Sequence, residues 1–156
     1  GGSQENNHRG GTQNHLGIIA LATALRVHHE QFKTNSAQIS RLNKVLLGKL
    51  KDISGILINR GGKNYADHIV NCSIPGVDGE ALFIRLDMSN IAVSNGSACS
   101  SGSQAPSHVL TSMGMEASLA QASLRVSMGV QSNQDEIEGF CQALEFIVSS
   151  INRESS

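Results

Sequence analysis

Residues 94–114 have the sequence SNGSACSSGSQAPSHVLTSMG, in which positions 94–105 carry only small or polar side chains. Such a composition predicts an exposed, mobile loop. Pro106 suits the first turn of a helix that follows this loop, and Gly114 suits the end of that helix. Because no neighbouring side chain would carry the loop into a core, composition makes Cys99 a candidate for an exposed and reactive thiol.

The chain has three cysteines, and the two others occupy apolar settings. Cys72 lies in the strand-like run HIVNCSI, and Cys141 lies on the apolar face of the last predicted helix. Free cysteines in such positions are usually buried and inert. An odd number of cysteines without a CxxC pair fits a disulfide framework poorly, which favours a reducing compartment such as the cytoplasm or an organelle matrix. Cys99 is thus the candidate nucleophile.

Hydrophobic periodicity predicts one domain that mixes helices with short strands. Residues 1–14 are polar and glycine-rich, which predicts a loop. The run 15–31 is apolar on nearly every face, so this helix should be buried on several sides. The remaining elements begin or end at turn or cap residues. Helices are predicted at 36–53, 78–86, 106–113 and after the Asn133–Glu136 capping box. Strands are predicted at 55–59, 68–74, 91–94 and 123–128. This order indicates an α/β or α+β fold.

Composition excludes several classes of protein. The 156-residue chain is 39% hydrophobic and has a net charge of −1, which fits one domain and gives no sign of a nucleic-acid or membrane partner. No apolar run approaches the roughly 20 residues that a membrane helix needs. His28 and His29 adjoin on a helix and point about 100° apart, so they do not form a joint metal site. No other metal-binding motif stands out, and we expect no metal.

Three motifs carry a resemblance to a known family. Residues 94–114, with their Gly-Ser-Ala-Cys core and Pro-Ser-His-Val-Leu helix start, closely resemble the active-site segment of NifS/IscS-like cysteine desulfurases. Residues 123–129, SLRVSMG, resemble the family's Ser-hydrophobic-Arg-Phe-Ser-hydrophobic-Gly strand. Residues 1–14, with Gly-Gly-Ser-Gln-Glu and Arg-Gly-Gly-Thr, resemble its glycine-rich Gln-Glu…Arg-x-Gly-Thr segment. The motifs occur in the family's order and span the chain.

The resemblance implies a fold and a position within a longer enzyme. Residues 1–156 would be the carboxy-terminal small domain of a fold-type I transferase that depends on pyridoxal phosphate (PLP), in the class V aminotransferase family. Its sheet would be small, mixed or antiparallel, and packed with helices. Residues 1–14 would be a loop from the junction with the large domain.

The resemblance also implies a reaction. In the family, a loop thiol takes the sulfur of PLP-bound L-cysteine as a persulfide, and L-alanine is released. Cys99 stands at the position of that thiol. The sulfur then passes to a scaffold or acceptor protein for iron–sulfur cluster assembly or tRNA thiolation, and the family enzymes are homodimers.

Arg125 admits two interpretations. It alternates with apolar Leu124 and Val126 on a predicted strand, and this pattern alone favours a solvated charge on the open face. The resemblance implies instead that Arg125 binds the carboxylate of the substrate cysteine through two parallel hydrogen bonds.

Thr12 also has two possible roles. Either Thr12 or Asn14 could cap the helix at 15–31. In the family, the threonine that matches Thr12 contacts the PLP phosphate of the other subunit, and a helix start suits phosphate binding. The resemblance therefore assigns Thr12 to the cofactor.

No lysine of the chain matches the family's Schiff-base lysine, which lies in a large domain upstream of the glycine-rich segment. The five lysines fall on predicted helix surfaces or a turn. We therefore expect a piece of a longer enzyme, or an enzyme whose large domain is another chain. This chain alone is expected to be inactive.

Two alternatives stay open at this point. A selenocysteine lyase has the same fold and a similar cysteine. A non-catalytic sulfur-carrier or scaffold-binding module could retain Cys99 without performing the reaction. A Ser-x-His-Lys segment encoded upstream of Gly1 would favour the enzyme.

Overall fold

The computed structural model describes residues 2, 4–60, 64–95 and 105–154. The chain divides into two compact units, Gly1–Ser36 and Ala37–Ser156, and each is described by itself. The first unit contains a short 3-10 helix, Glu5–Asn7, and the start of the long helix α1, His15–Asp52. No helix in the described part of the chain is long and apolar enough to cross a membrane.

Helix α1 replaces the two helices predicted at 15–31 and 36–53. The residues between them contain neither Gly nor Pro, so nothing in that stretch stops a helix. Of the two candidate caps, Asn14 holds the position, because its Oδ1 accepts a hydrogen bond from the Gly17 N–H at 2.9 Å.

The first part of α1 differs from the prediction that it is buried on several sides. Leu16, Ile19 and Leu21 are 62–83% exposed. Sequence periodicity shows that a helix has apolar faces, but burial requires an element to pack against each of those faces. The expectation of burial is therefore wrong for these side chains in the structure as it stands.

The second unit is built on an antiparallel sheet. Its described strands are β1, Leu57–Ile58; β2, Ile69–Ser73; β3, Ser94–Asn95; and β4, Ser123–Ser127. Their spatial order is β1-β2-β4-β3, and every neighbouring pair is antiparallel. The central pair fixes the register of the sheet and places Asn71 opposite Arg125 and Cys72 opposite Leu124.

The two short edge strands are less extensive than predicted. At β1, Gly55 has a φ of +84° and forms a turn, so pairing begins only at Leu57. At β3, the Ile91 N–H donates to the Leu86 carbonyl at 3.0 Å, which ends the preceding helix, and pairing begins only at Ser94.

Four helices accompany the sheet in the second unit: α2, Gly79–Met88; α3, His108–Ser112; α4, Ala117–Gln121; and α5, Gln134–Glu154. The predicted cap of α2 is confirmed, since the Asp78 carboxylate accepts from the Glu80 N–H at 2.9 Å. Helix α4 was not predicted. Gly79 approaches it so closely that an added Cβ would collide with the Gln121 carbonyl oxygen, which explains a glycine at this position.

Helix α3 begins two residues later than predicted, at His108. Ser107 takes the N-cap position, and its carbonyl accepts from the Thr111 N–H at 3.0 Å. Pro106 therefore precedes the helix instead of lying in its first turn. The Ser107 side chain makes no cap hydrogen bond, so only its backbone carbonyl serves the start of the helix.

The core of the second unit lies between one face of the sheet and the helices. The predicted capping box of α5 is confirmed by two bonds, from the Asn133 N–H to Glu136 Oε2 at 3.1 Å and from the Glu136 N–H to Asn133 Oδ1 at 3.0 Å. The core side chains are apolar and come from the end of α1, the sheet, α2 and α5, and they include Leu42, Leu46, Leu50, Val70, Cys72, Leu82, Leu86, Leu124, Val126, Phe140, Leu144 and Val148.

Candidate functional site

The other face of the sheet carries polar side chains. Asn71 on β2 and Ser94 on β3 both lie directly opposite Arg125 on β4, so all three point to the same side. Ser73 lies two residues after Asn71, and Asn59 bonds to both. We call these five residues, Asn59, Asn71, Ser73, Ser94 and Arg125, the polar face.

Arg125 is the only cation of the polar face. It is half-buried between buried Leu124 and Val126, so the predicted alternation on β4 is confirmed. Its Nη2 donates to Ser94 Oγ at 3.2 Å, and its side chain makes no other hydrogen bond within the described residues.

No described carboxylate pairs with Arg125 either. A half-buried guanidinium whose other donors make no bond to a described residue is suited to bind an external anion.

The neighbours of Arg125 are held in place by their own hydrogen bonds. The Asn59 side-chain amide donates to Asn71 Oδ1 at 2.6 Å and to Ser73 Oγ at 2.7 Å. The Asn59 N–H donates to the Asn71 carbonyl at 2.8 Å, which continues the β1–β2 pairing. The polar face is therefore an ordered hydrogen-bonded surface.

Thr12 lies in the first unit, Gly1–Ser36. It is exposed and lies two residues before the cap of α1. Because Asn14 provides that cap, the Thr12 hydroxyl is not needed for it, and it makes no hydrogen bond to a described residue. A free hydroxyl beside the amino-terminal end of a long helix is chemically suited to a phosphate.

The three cysteines fall into two classes. Cys72 and Cys141 are buried, as predicted. Burial, and then the proximity of Cys141, raises the pKa of the Cys72 thiol to about 12. Burial raises the pKa of Cys141 to about 11, partly offset by Lys49. Both thiols therefore stay protonated at neutral pH, and thiols in that form are poor nucleophiles. Cys99 lies outside the described residues.

Sequence reasoning missed Ser94 and the asparagines of the polar face. Ser94 belongs to a run of small polar residues that predicts a loop, and its role depends on pairing with β4. No group of three or more potential metal ligands occurs among the residues that the structure describes.

Comparisons with known proteins place these features in a family context. The aminotransferase class-V family model matches residues 2–140. The chain is 33% identical over 152 residues to the cysteine desulfurase IscS of Dictyoglomus turgidum, covering 97% of this chain and 39% of the relative. It is 36% identical over 153 residues to the cysteine desulfurase IscS of Photorhabdus laumondii, covering 98% of this chain and 37% of the relative.

A solved structure agrees with these matches. The X-ray structure of a NifS-like protein from Rickettsia africae superimposes with a TM-score of 0.81 at 32% identity, covering 96% of this chain and 39% of that chain. The predicted fold class, helices with a small antiparallel sheet from a NifS-like enzyme, is thereby confirmed. The chain spans 37–39% of the length of these proteins.

Proposed function

The chain belongs to the aminotransferase class-V family, and from that premise we propose that it is the carboxy-terminal small domain of a PLP-dependent cysteine desulfurase. In this proposal the complete enzyme takes sulfur from L-cysteine as a persulfide on Cys99 and releases L-alanine. The sulfur then goes to a scaffold or acceptor protein for iron–sulfur cluster assembly or tRNA thiolation. The relatives that support this proposal are named cysteine desulfurases.

The observation that carries the proposal is the setting of Arg125. Its guanidinium is half-buried and held by Ser94, and its other N–H donors make no hydrogen bond to a described residue. The polar face around it contains no acidic side chain. An amino-acid substrate brings a carboxylate of complementary geometry and charge. Arg125 binds that carboxylate with two hydrogen bonds and so fixes one end of the substrate.

The residues of this chain fit PLP only in part. The Thr12 hydroxyl and the start of α1 suit its phosphate, and the described lysines, Lys33, Lys44, Lys49 and Lys51, lie on helix α1. The lysine and the remaining ligands come from the amino-terminal part of the complete enzyme, and the other subunit of a homodimer shares the site. When bound, PLP withdraws electrons from the substrate and so weakens its bonds.

Cys99 acts on the sulfur of the substrate. Its thiolate forms a new S–S bond, the carbon–sulfur bond of cysteine breaks, and the released electron pair and a proton complete the methyl group of alanine. Cys72 and Cys141 are unsuited to this step, because both are buried and protonated.

We place the complete enzyme in the cytoplasm or an organelle matrix.

The apolar side chains in the first unit of the chain, such as Leu16, Leu21 and Leu25, are exposed. The amino-terminal domain covers them in the complete enzyme.

The experiment replaces the cysteines one at a time in the complete enzyme and measures alanine formed from cysteine. Cys99→Ser should abolish turnover and leave cofactor absorbance in place, because only the nucleophile is lost. Cys141→Ser is the matched control and should retain most of the activity of the wild type. The assignment would be refuted if Cys99→Ser still formed substantial alanine. It would also be refuted if Cys141→Ser lost alanine formation while Cys99→Ser kept it. Activity on selenocysteine but not on cysteine would indicate a selenocysteine lyase.

A further inference from the structure

Ser94 pairs with the proposed carboxylate-binding residue in the sheet and precedes the proposed nucleophile in the sequence. It lies directly opposite Arg125 in the β3–β4 pair, and its Oγ accepts a hydrogen bond from Arg125 Nη2 at 3.2 Å. In sequence, it is only five residues before Cys99. Within the described residues, Ser94 is the only side chain that bonds to the guanidinium.

The geometry of a guanidinium gives this single hydrogen bond a consequence. A carboxylate can bind in the bidentate manner either to the end, through Nη1 and Nη2, or to the side, through Nε and Nη2. Nη2 has two N–H groups. The end-on arrangement uses the one beside Nη1, and the side-on arrangement uses the one beside Nε. Because Ser94 takes one of these N–H groups, it leaves one bidentate edge of Arg125 for an external carboxylate.

We infer that Ser94 is a positioning residue that selects the edge of Arg125 used to bind the substrate carboxylate. The inference rests on the proposed function, which provides the carboxylate. Ser94 holds the planar group in one rotamer, so the substrate meets a donor pair that is already oriented. The same bond joins the substrate-binding strand β4 to the strand that leads to Cys99.

Binding of the reaction product tests this role without turnover. In the complete PLP-loaded enzyme, titration calorimetry measures the dissociation constants of L-alanine and of ethylamine, which is alanine without its carboxylate. Ser94→Ala should raise the constant for L-alanine about tenfold, as expected for losing a bond to a charged group, and leave that for ethylamine unchanged. Ser94→Thr keeps a hydroxyl in a β-branched residue that suits a strand, and it should bind L-alanine like the wild type.

Two further variants complete the design. Ser127→Ala removes an exposed hydroxyl from the same strand as Arg125 and should change neither constant. Arg125→Ala should weaken L-alanine binding more than Ser94→Ala does, and adding Ser94→Ala to it should have no further effect, because the positioned group is gone. If Ser94→Ala does not fold, Ser94→Cys, with its weaker acceptor, should give a smaller loss confined to L-alanine.

The outcomes separate the inference from the proposed function. If Arg125→Ala weakens L-alanine binding and Ser94→Ala does not, the positioning role is wrong and the carboxylate site stands. Equal weakening of L-alanine and ethylamine by Ser94→Ala would show a general structural role and also overturn the inference. If Arg125→Ala leaves L-alanine binding unchanged, the carboxylate site itself, and with it the proposed function of Arg125, is wrong.

Discussion

The two faces of the sheet use alternate residues of the same strands for different purposes. On one face, Leu124 and Cys72 are fully buried against the helices. On the other face, their immediate neighbours Arg125 and Asn71 are half-buried, and each side chain makes a hydrogen bond, to Ser94 and Asn59 respectively. A shift of one residue in register would exchange these faces. The comparison therefore predicts that substitutions on one face change stability and those on the other change substrate binding.

The largest effect is expected on the apolar face. Leu124→Ala should lower the free energy of unfolding by about 2–5 kcal/mol, because it removes buried methyl groups and leaves a cavity. Leu57→Ala is the matched control, since Leu57 lies in the same sheet but is 47% exposed. Urea denaturation of both variants measures the difference, and equal losses of stability would contradict the burial assigned to Leu124.

On the polar face, Arg125→Ala should raise the KM for cysteine in the complete enzyme by about 100-fold. The reason is that the substrate carboxylate loses its half-buried partner. Cofactor absorbance should stay unchanged, because Arg125 does not bind the cofactor in this account. The same variant should change the free energy of unfolding by only about 1 kcal/mol or less. Steady-state kinetics and urea denaturation together test this division, and an unchanged KM would make Arg125 a solvated charge of the strand.

The smallest effect is a dependence of stability on pH at the apolar face. The pKa values of buried Cys72 and Cys141 are raised to about 12 and about 11 from an ordinary 9.0. Between pH 9 and pH 11 the unfolded state loses thiol protons that the folded state keeps, so stability falls as pH rises. The contribution is fully present below pH 9 and is lost as the pH rises toward the folded-state pKa values.

The double variant Cys72→Ala/Cys141→Ala isolates this contribution. Urea denaturation at several pH values should give a shallower decline for the variant than for the wild type, because other alkaline groups titrate equally in both. Parallel declines would mean that the two thiols are accessible to water in the folded protein.

Much of the fold follows from local signals in the sequence. The capping box of Asn133 and Glu136 and the cap at Asp78 mark helix starts that the structure confirms. Boundaries set by tertiary contacts were not predictable. Within the described residues, β1 and β3 pair over two residues each, and α4 has no cap hydrogen bond from its N-cap side chain. The exposure of Leu16 and Leu21 depends on what packs against α1, which periodicity does not describe.

The candidate site was predictable where a residue differs from its surroundings. Arg125 is the one charge in an apolar strand, and Cys99 is the one thiol in a run of small residues. Ser94 and Asn71 have no such contrast in sequence. They join Arg125 only through antiparallel pairing between segments that are far apart in the chain, and no local pattern determines that register.

The central claim is that sulfur from cysteine is carried by Cys99 and not by the thiols of the apolar face. It is tested most directly by treating the complete enzyme with cysteine, alkylating it, and locating the added sulfur by peptide mass spectrometry. We predict a mass increase of one sulfur atom on the peptide that contains Cys99, with Cys72 and Cys141 unmodified. Added sulfur on Cys72 or Cys141, with Cys99 unmodified during turnover, would contradict the account.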